Sequence, residues 1–263
     1  MNLVGNPFGE EAYLVNANGM GLAYHRLNPE TNLYEAVDDN AAIDMMEGVF
    51  YEAGENDDVV FFSTTAPSTA KSNLIIVVSQ DRGMIDNAII RFGEGNTMKK
   101  IALFGNNTKV YVPQNGMEYA VVNATEFGEM PVNFKAETSG TYTMSFNSNN
   151  VKFSYLHLID NLTGNDVDLV ENPSYTFDAN ASDYSSRFKL VFATGDANNN
   201  SEFAFVSNGS IIVNGEGLLQ VIDMTGRIVS SEQVNGVSSI KLNAAAGVYV
   251  LQLNDKTQKI VVK

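Results

Sequence analysis

Short runs of alternating apolar and polar residues recur along the whole chain, separated by clusters of Gly, Asn, Asp and Pro. In one clear run, Tyr142, Met144 and Phe146 occupy every second position. This period places them on the same side of an extended strand, where they can be buried together. Such runs recur about every ten residues with turns between them, a spacing typical of an all-β sandwich. The predicted fold class is therefore all-β.

A buried strand and a hairpin have strong local signals in the middle of the chain. Asn73–Ser79 contains an unbroken apolar run, which predicts a buried strand. Lys109–Pro113 and Glu118–Val122 flank Asn115–Gly116, a dipeptide that favours the tight turn of a β-hairpin. These two segments are therefore predicted to pair.

One segment departs from the strand pattern. A short helical turn is predicted at Asp38–Met46, because Asp38 or Asp39 can serve as its N-terminal cap. Helix is expected to be minimal in the rest of the chain.

Two polar stretches of small residues mark connections between folded parts. Residues 194–201 are rich in Gly, Asn and Asp, and residues 66–72 mark a second candidate boundary. The predicted organisation is a larger, jelly-roll-like β-sandwich over residues 1–196, followed by a small Ig-like β-sandwich over residues 203–263.

The last part of the chain contains three β patterns in a fixed order. Leu218–Val229 reads LLQVIDMTGRIV and contains a turn at Met224–Arg227, which predicts a hairpin. Gly247–Leu253 reads GVYVLQL, and its odd-numbered residues from 249 share one face. Lys259–Lys263 is a basic and apolar end.

This three-part pattern resembles the type A C-terminal sorting domain of proteins exported by the type IX secretion system of Bacteroidetes. Nothing in a hairpin itself requires Gly-Arg after the turn, which favours the resemblance over an ordinary β module. The resemblance implies that the outer-membrane translocation machinery recognises the module, which is then cleaved as the protein is anchored at the cell surface. The residues expected to carry the secretion signal are Gly226, Arg227, Gly247, Tyr249, Lys259 and Lys263.

Upstream segments extend the resemblance over most of the chain. Four segments, Leu3–Phe8, Ala23–Val37, Met46–Phe62 and Tyr155–Phe192, look like segments that precede the sorting domain in large Bacteroidetes surface proteins. Met1–Phe8 lacks the basic and apolar regions of a signal peptide. Because an exported protein needs such a signal, the chain is expected to be a fragment of a longer secreted, surface-anchored protein.

Charge and cysteine content narrow the classes of partner. The formal net charge is −15, which repels phosphate backbones, so no nucleic acid partner is expected. The chain has no cysteine, which excludes disulfides, thiolate zinc sites and cysteine nucleophiles. No apolar run reaches about 18 residues, so no transmembrane helix is predicted.

Candidate catalytic and metal-binding residues are sparse. The two histidines, His25 and His157, lie in alternating strand patterns without a catalytic motif, and the chain is predicted not to be an enzyme. Asp196, Asn198 and Asn200 have the spacing of a calcium loop, although the glycine and glutamate of the full motif are missing. They are the only metal candidates, no other cofactor is expected, and a plain linker is the alternative interpretation.

The composition and the resemblance together predict a non-enzymatic surface protein with an adhesive or structural role. Its expected partners are the type IX secretion machinery and a surface glycan or protein ligand. The alternative is a carbohydrate-binding module accessory to a larger secreted enzyme, since tyrosines in strands can stack on sugars. The candidate platform residues are Tyr13, Tyr24, Tyr34, Tyr51, Tyr111 and Tyr119.

Overall fold

The computed structural model describes residues 1–38, 40–53, 59–67, 71–81, 83–101, 108–194, 203–207 and 209–262. Within them the protein is all-β, as predicted, and no helix is long and apolar enough to cross a membrane. The strands are β1 (Asn2–Gly5), β2 (Tyr13–Val15), β3 (Tyr24–Asn28), β4 (Leu33–Val37), β5 (Gly48–Tyr51), β6 (Phe61–Ser63), β7 (Asn73–Gln80), β8 (Gly83–Phe92), β9 (Met98–Lys99), β10 (Lys109–Gln114), β11 (Met117–Ala124), β12 (Phe127–Lys135), β13 (Gly140–Asn149), β14 (Phe153–Asp160), β15 (Asn165–Asp168), β16 (Ser174–Ala179), β17 (Phe188–Thr194), β18 (Ala204–Ser207), β19 (Ser210–Asp223), β20 (Ile228–Lys241), β21 (Gly247–Leu253) and β22 (Lys256–Val262).

These strands form sheets of very different size. The largest has 11 strands in the order β15-β14-β17-β12-β10-β11-β8-β7-β13-β16, with β9 paired to β11. Near the N-terminus, a four-stranded sheet has the order β1-β5-β3-β4, and β2 pairs with β6. The C-terminal sheet has five strands, in the order β18-β19-β21-β22 with β20 on β19. The predicted hairpin between β10 and β11 is confirmed, with Asn115 and Gly116 both at positive φ.

The chain divides into two compact units. The first contains Met1–Thr125, Met130–Val151 and Leu158–Leu190, and the second contains Glu126–Glu129, Lys152–His157 and Val191–Lys263. The predicted connection at residues 194–201 falls almost entirely on residues 195–202, which lie outside the described residues, as do residues 68–70 of the other candidate boundary. The domain bounds inferred from the sequence therefore stay a prediction.

Side-chain amides attach the N-terminal sheets to the large sheet within the first unit. Asn87 of β8 accepts a hydrogen bond from Ala36 N at 2.8 Å and donates to Ala36 O at 2.9 Å. Asn96 binds the backbone of Ala23 in the same two-way manner, at 3.0 and 3.3 Å. Each side-chain amide thus makes the same two hydrogen bonds, one accepted and one donated, that the backbone of a neighbouring strand would make. The backbone N–H and C=O groups of Ala36 and Ala23 are satisfied in this way.

The helical turn predicted at Asp38–Met46 is wrong, because the described residues of this segment contain no helix. Asp39 lies outside the described residues. Asp38 does not cap a helix, since its carboxylate accepts hydrogen bonds from Arg91 Nε at 2.7 Å and from Lys71 Nζ at 2.8 Å. Asp38 therefore pairs with cations that are distant in sequence and does not form the local helix cap predicted from the sequence.

The C-terminal sheet is built on one long strand, β19. β19 continues through Gly217, which has a φ of 129° and approaches Asn254 too closely for a side chain. Gln258 links β22, the last strand in this order, to the start of β18, the first strand. Its Oε1 accepts hydrogen bonds from Phe203 N at 2.7 Å and from Ala204 N at 2.8 Å. A single side chain therefore takes the place of a β-ladder between β22 and the start of β18.

Replacing Gln258 by Leu should destabilise this sheet by about 1–3 kcal/mol, because two largely buried N–H groups lose their acceptor. Urea unfolding followed by circular dichroism would measure the loss, and faster hydrogen exchange at Ala204 would locate it. Gln252→Leu is the matched control, since Gln252 is exposed on the neighbouring strand and its replacement should change stability by less than about 0.5 kcal/mol. Equal stability of the two variants would contradict the role given to Gln258.

Candidate functional site

Three segments that are far apart in sequence meet at one end of the C-terminal sheet. β19 ends there at Asp223, β21 begins there, and β22 ends there. Asp223 pairs with Tyr249, which pairs with Ile260, so the three residues form one row across the sheet. Gly247 pairs with Val262 at the very edge of the same end. The structure thus brings together the three patterns on which the predicted secretion signal depends.

The turn between β19 and β20 is organised by one carboxylate, and the predicted hairpin is confirmed. Asp223 Oδ1 accepts from Thr225 N at 2.9 Å, from Thr225 Oγ1 at 2.6 Å and from Arg227 N at 3.1 Å. Arg227 Nε donates to Asp223 Oδ2 at 3.0 Å. Gly226 has a φ of 83°, a left-handed conformation that favours glycine.

The hairpin therefore supplies a local reason for Gly226 and Arg227 that the sequence did not reveal. The hydroxyl of Thr225 and the backbone N–H of Arg227 hold the pKa of Asp223 at about 2, so its carboxylate stays ionised at neutral pH. Arg227 remains 77% exposed while it contacts Asp223. Its guanidinium thus contacts Asp223 on one side and faces solvent on the other.

The described signal residues outside the hairpin, Gly247, Tyr249 and Lys259, lie on β21 and β22 and differ in exposure. Tyr249 is buried, and its hydroxyl donates to Ala245 O at 2.7 Å, so it supports the core rather than the surface. Lys259 is exposed and pairs with Val250 in the row next to Tyr249. Gly247 begins β21, and Lys263 lies outside the described residues.

Three large apolar side chains on these segments are exposed. Met224 and Ile228 flank the turn, and Val261 shares the outer face of β22 with Lys259. Large apolar residues in solvent are informative when they cluster with polar groups, because such surfaces mark interaction sites. The end of the sheet therefore combines exposed positive charge with exposed apolar side chains. We call this surface, made of Met224–Ile228, Lys259 and Val261, the convergent end.

The calcium candidates Asp196, Asn198 and Asn200 lie outside the described residues. In the part of the chain that the structure describes, no group of three or more His, Asp or Glu side chains could hold a metal ion. The calcium loop therefore stays a prediction from spacing alone.

The candidate sugar platforms are largely core residues. Tyr24, Tyr51 and Tyr111 are buried, and Tyr13, Tyr34 and Tyr119 are half-buried. The hydroxyl of Tyr24 donates to Ala41 O at 3.0 Å, and Tyr34 packs edge-on against Phe50. Sugar stacking requires an exposed ring face, so these six side chains give no support to the carbohydrate-binding alternative.

A buried histidine is a polar feature that sequence patterns did not indicate. His25 is 1% exposed, and its Nε2 lies 3.0 Å from Lys99 O. Since a carbonyl oxygen can only accept, Nε2 carries the hydrogen of this bond, and Nδ1 has no partner. Burial lowers the pKa of His25 to about 4, so the ring is neutral at pH 7. Alternation placed His25 in a strand, but it could not show that both faces are covered.

A buried ion pair lies within the aromatic core of the first unit. Arg187 donates to both oxygens of Asp160, at 2.9 and 2.8 Å, and its guanidinium lies 4.7 Å from the ring centroid of Phe177. Burial is the largest single effect and raises the pKa of Asp160. The hydrogen bonds and charge of Arg187, together with hydrogen bonds from Thr163 and Leu162 N, outweigh it and hold the pKa below its usual value. Both charges are partnered, so this pair has a structural role.

No family model, curated protein or solved structure matches this chain.

Proposed function

We propose that residues 203–263 form a sorting module that directs export through the type IX secretion system of Bacteroidetes. The rest of the chain is then a non-enzymatic, adhesive or structural part of a surface protein. The observation that carries this proposal is the convergence of three separated segments at one end of the C-terminal sheet. A receptor that reads all three at once needs them to be adjacent, and only the folded sheet makes them so.

The geometry of the convergent end supports recognition by another protein. Arg227 is 77% exposed and contacts Asp223 through Nε alone, so its remaining N–H groups are available to acceptors of a partner. Met224 and Ile228, on either side of the turn, and Val261 of β22 supply exposed apolar area on the same segments. Arginine with apolar neighbours is typical of residues that dominate binding energy at protein interfaces.

Deleting residues 259–263 should abolish surface display in a Bacteroidetes host that carries the secretion machinery. The deletion removes one edge of the convergent end, but it also removes the buried residues Ile260 and Val262. Lys259→Glu is therefore the sharper test, because Lys259 is exposed and the core stays intact. Reversing its charge should reduce display several-fold, as measured with an antibody on whole cells.

Lys256→Glu is the matched control, since Lys256 is exposed on the same strand but at the opposite end. It should leave display unchanged. Normal display of the truncated chain would refute the sorting role. Equal loss from the two lysine variants would show that charge alone, and not the convergent end, is recognised.

A further inference from the structure

Asp86 and Lys100 form a close, shielded pair on the large sheet. The Lys100 Nζ atom lies 2.6 Å from Asp86 Oδ1, and the two side chains are only 8% and 13% exposed. Asp86 belongs to β8, and Lys100 directly follows β9. Lys100 also donates from Nζ to Asn87 O, which fixes the amine beside the carboxyl group. The amine and the carboxyl carbon are thus held within reach of each other.

Burial favours the neutral form of both groups. It lowers the pKa of Lys100 and raises the pKa of Asp86, although their mutual attraction opposes both shifts. Lys109 further lowers the pKa of Lys100, whereas Glu118 raises it. A free amine is a nucleophile and a protonated carboxyl group is an electrophile, while the ionised forms do not react with each other.

A backbone donor faces the second oxygen of the carboxyl group. Val110 N donates to Asp86 Oδ2 at 2.8 Å. This N–H points at the atom that would become negative if the carboxyl carbon were attacked, which is the role of an oxyanion-hole donor. The site therefore combines a nucleophile, an electrophile and a stabilising donor, all supplied by one chain.

We propose that Lys100 and Asp86 condense to an intramolecular amide, so that an isopeptide bond cross-links β8 to the segment after β9. The Nζ lone pair attacks Cγ of the protonated Asp86 carboxyl group, and the C–N bond forms while Oδ2 takes the negative charge beside Val110 N. A proton then passes from Nζ to Oδ1, the Cγ–Oδ1 bond breaks, and one water leaves. As water leaves, the negative charge on Oδ2 returns to form the amide carbonyl, and the second Nζ proton stays on the amide nitrogen. No oxidant, cofactor or second substrate is required.

Positioning makes this condensation reasonable. Holding two reacting groups in contact is equivalent to an effective concentration of about 10⁵–10⁸ M. The chain has no cysteine, so an amide is a covalent cross-link that its composition permits. The cross-link is independent of the export proposal, and either can fail without the other.

Two other lysine–carboxylate pairs in the first unit lack this arrangement. Lys71 contacts Asp38, but Arg91 donates to both oxygens of that carboxylate. Lys109 contacts Glu118, but these two side chains are 35% and 39% exposed. Solvent keeps exposed groups ionised, so these pairs are expected to remain ion pairs.

Intact mass spectrometry of the purified full chain under denaturing conditions tests the proposal. After prolonged incubation at neutral pH, the mass should be one water below that calculated from the sequence. Proteolytic digestion should yield a branched peptide in which Lys100 is joined to Asp86. A chain at the calculated mass, with both residues in separate peptides, would overturn the proposal, as would a water loss located at another pair.

Variants of the two reacting residues test whether Lys100 and Asp86 form the amide. Lys100→Arg keeps a positive charge but removes the amine nucleophile, so it should have its full calculated mass. Asp86→Asn should become one ammonia lighter, because the leaving group is then the carboxamide nitrogen. Glu118→Gln is the control and should lose one water like the original chain, since Glu118 is not a reacting group. Water loss that persists in Lys100→Arg would contradict the assignment.

Discussion

Replacing Arg91 by Met should lower the free energy of unfolding of the first unit by about 3–5 kcal/mol. Arg91 is 2% exposed and is the largest fully buried side chain among the described residues. It donates to both oxygens of Asp38, which is itself buried, and to Asn96 O at 3.0 Å and Asn123 Oδ1 at 2.8 Å. Methionine fills a similar volume but leaves Asp38 with only one of its two cationic partners, and an under-compensated buried charge is costly.

Urea unfolding followed by circular dichroism would measure this effect, because the chain has no tryptophan to serve as a fluorescent probe. Arg227→Met is the matched control: it also breaks an Arg–Asp contact, but Arg227 is 77% exposed, and its loss should leave the unfolding midpoint almost unchanged. Equal stability of the two variants would show that the Arg91–Asp38 pair contributes no more than a surface pair.

The first unit should also lose about 3 kcal/mol of stability as the pH falls from 6.5 to about 4, because of His25 alone. The pKa of His25 is lowered from 6.5 to about 4 in the folded protein, mainly by burial. Between these pH values the unfolded chain binds a proton that the folded chain does not, so stability decreases as pH decreases. Below about pH 4 both states are protonated, and this contribution changes no further.

The charged neighbours of His25 act in opposite directions. Burial is the largest effect and lowers the pKa. The hydrogen bond to Lys99 O and the charge of Glu52 raise it, and the charge of Lys100, which would be lost in the proposed amide, lowers it slightly further. Protonation would place a second hydrogen on Nδ1, which has no acceptor in the folded protein. The expected loss therefore has a structural cause as well as an electrostatic one.

Unfolding free energies of His25→Gln and of the original chain, measured at several pH values between 4 and 7, would test this prediction. Carboxylates titrate in the same range, so the difference between the two curves is the informative quantity, and it should change by about 3 kcal/mol. His157→Gln is the control, since His157 is the only other histidine, and in it the acid-dependent decline should persist. Parallel curves for His25→Gln and the original chain would contradict the assignment.

Local chemistry was sufficient to predict many of the individual elements. Asn115–Gly116 specified the turn between β10 and β11, because its residues tolerate positive φ. Alternation specified the buried face of β21, where Tyr249, Leu251 and Leu253 all point into the core. These predictions depend on neighbours within a few residues, so the sequence contains the required information.

The convergent end could be predicted only in part. The sequence placed a hairpin at Met224–Arg227 and strands at its two other segments, but not their meeting at one end of a sheet. That meeting follows from the antiparallel order of β19, β21 and β22, which is a choice among distant partners. The sequence also suggested that Gly226 and Arg227 had no structural purpose, whereas Asp223 and a positive φ give them one.

The sequence by itself determined an all-β chain, the faces of its clearest strands and the positions of its tight turns, because side-chain alternation and turn residues act locally. Only the tertiary structure decided which strands pair, such as the parallel match of Ile89 with Val121, and which polar residues are enclosed. Arg91, His25 and Asp86 lie in strand patterns like those of surface residues. Burial depends on what covers the other face of a sheet, and that covering comes from segments far away in the chain.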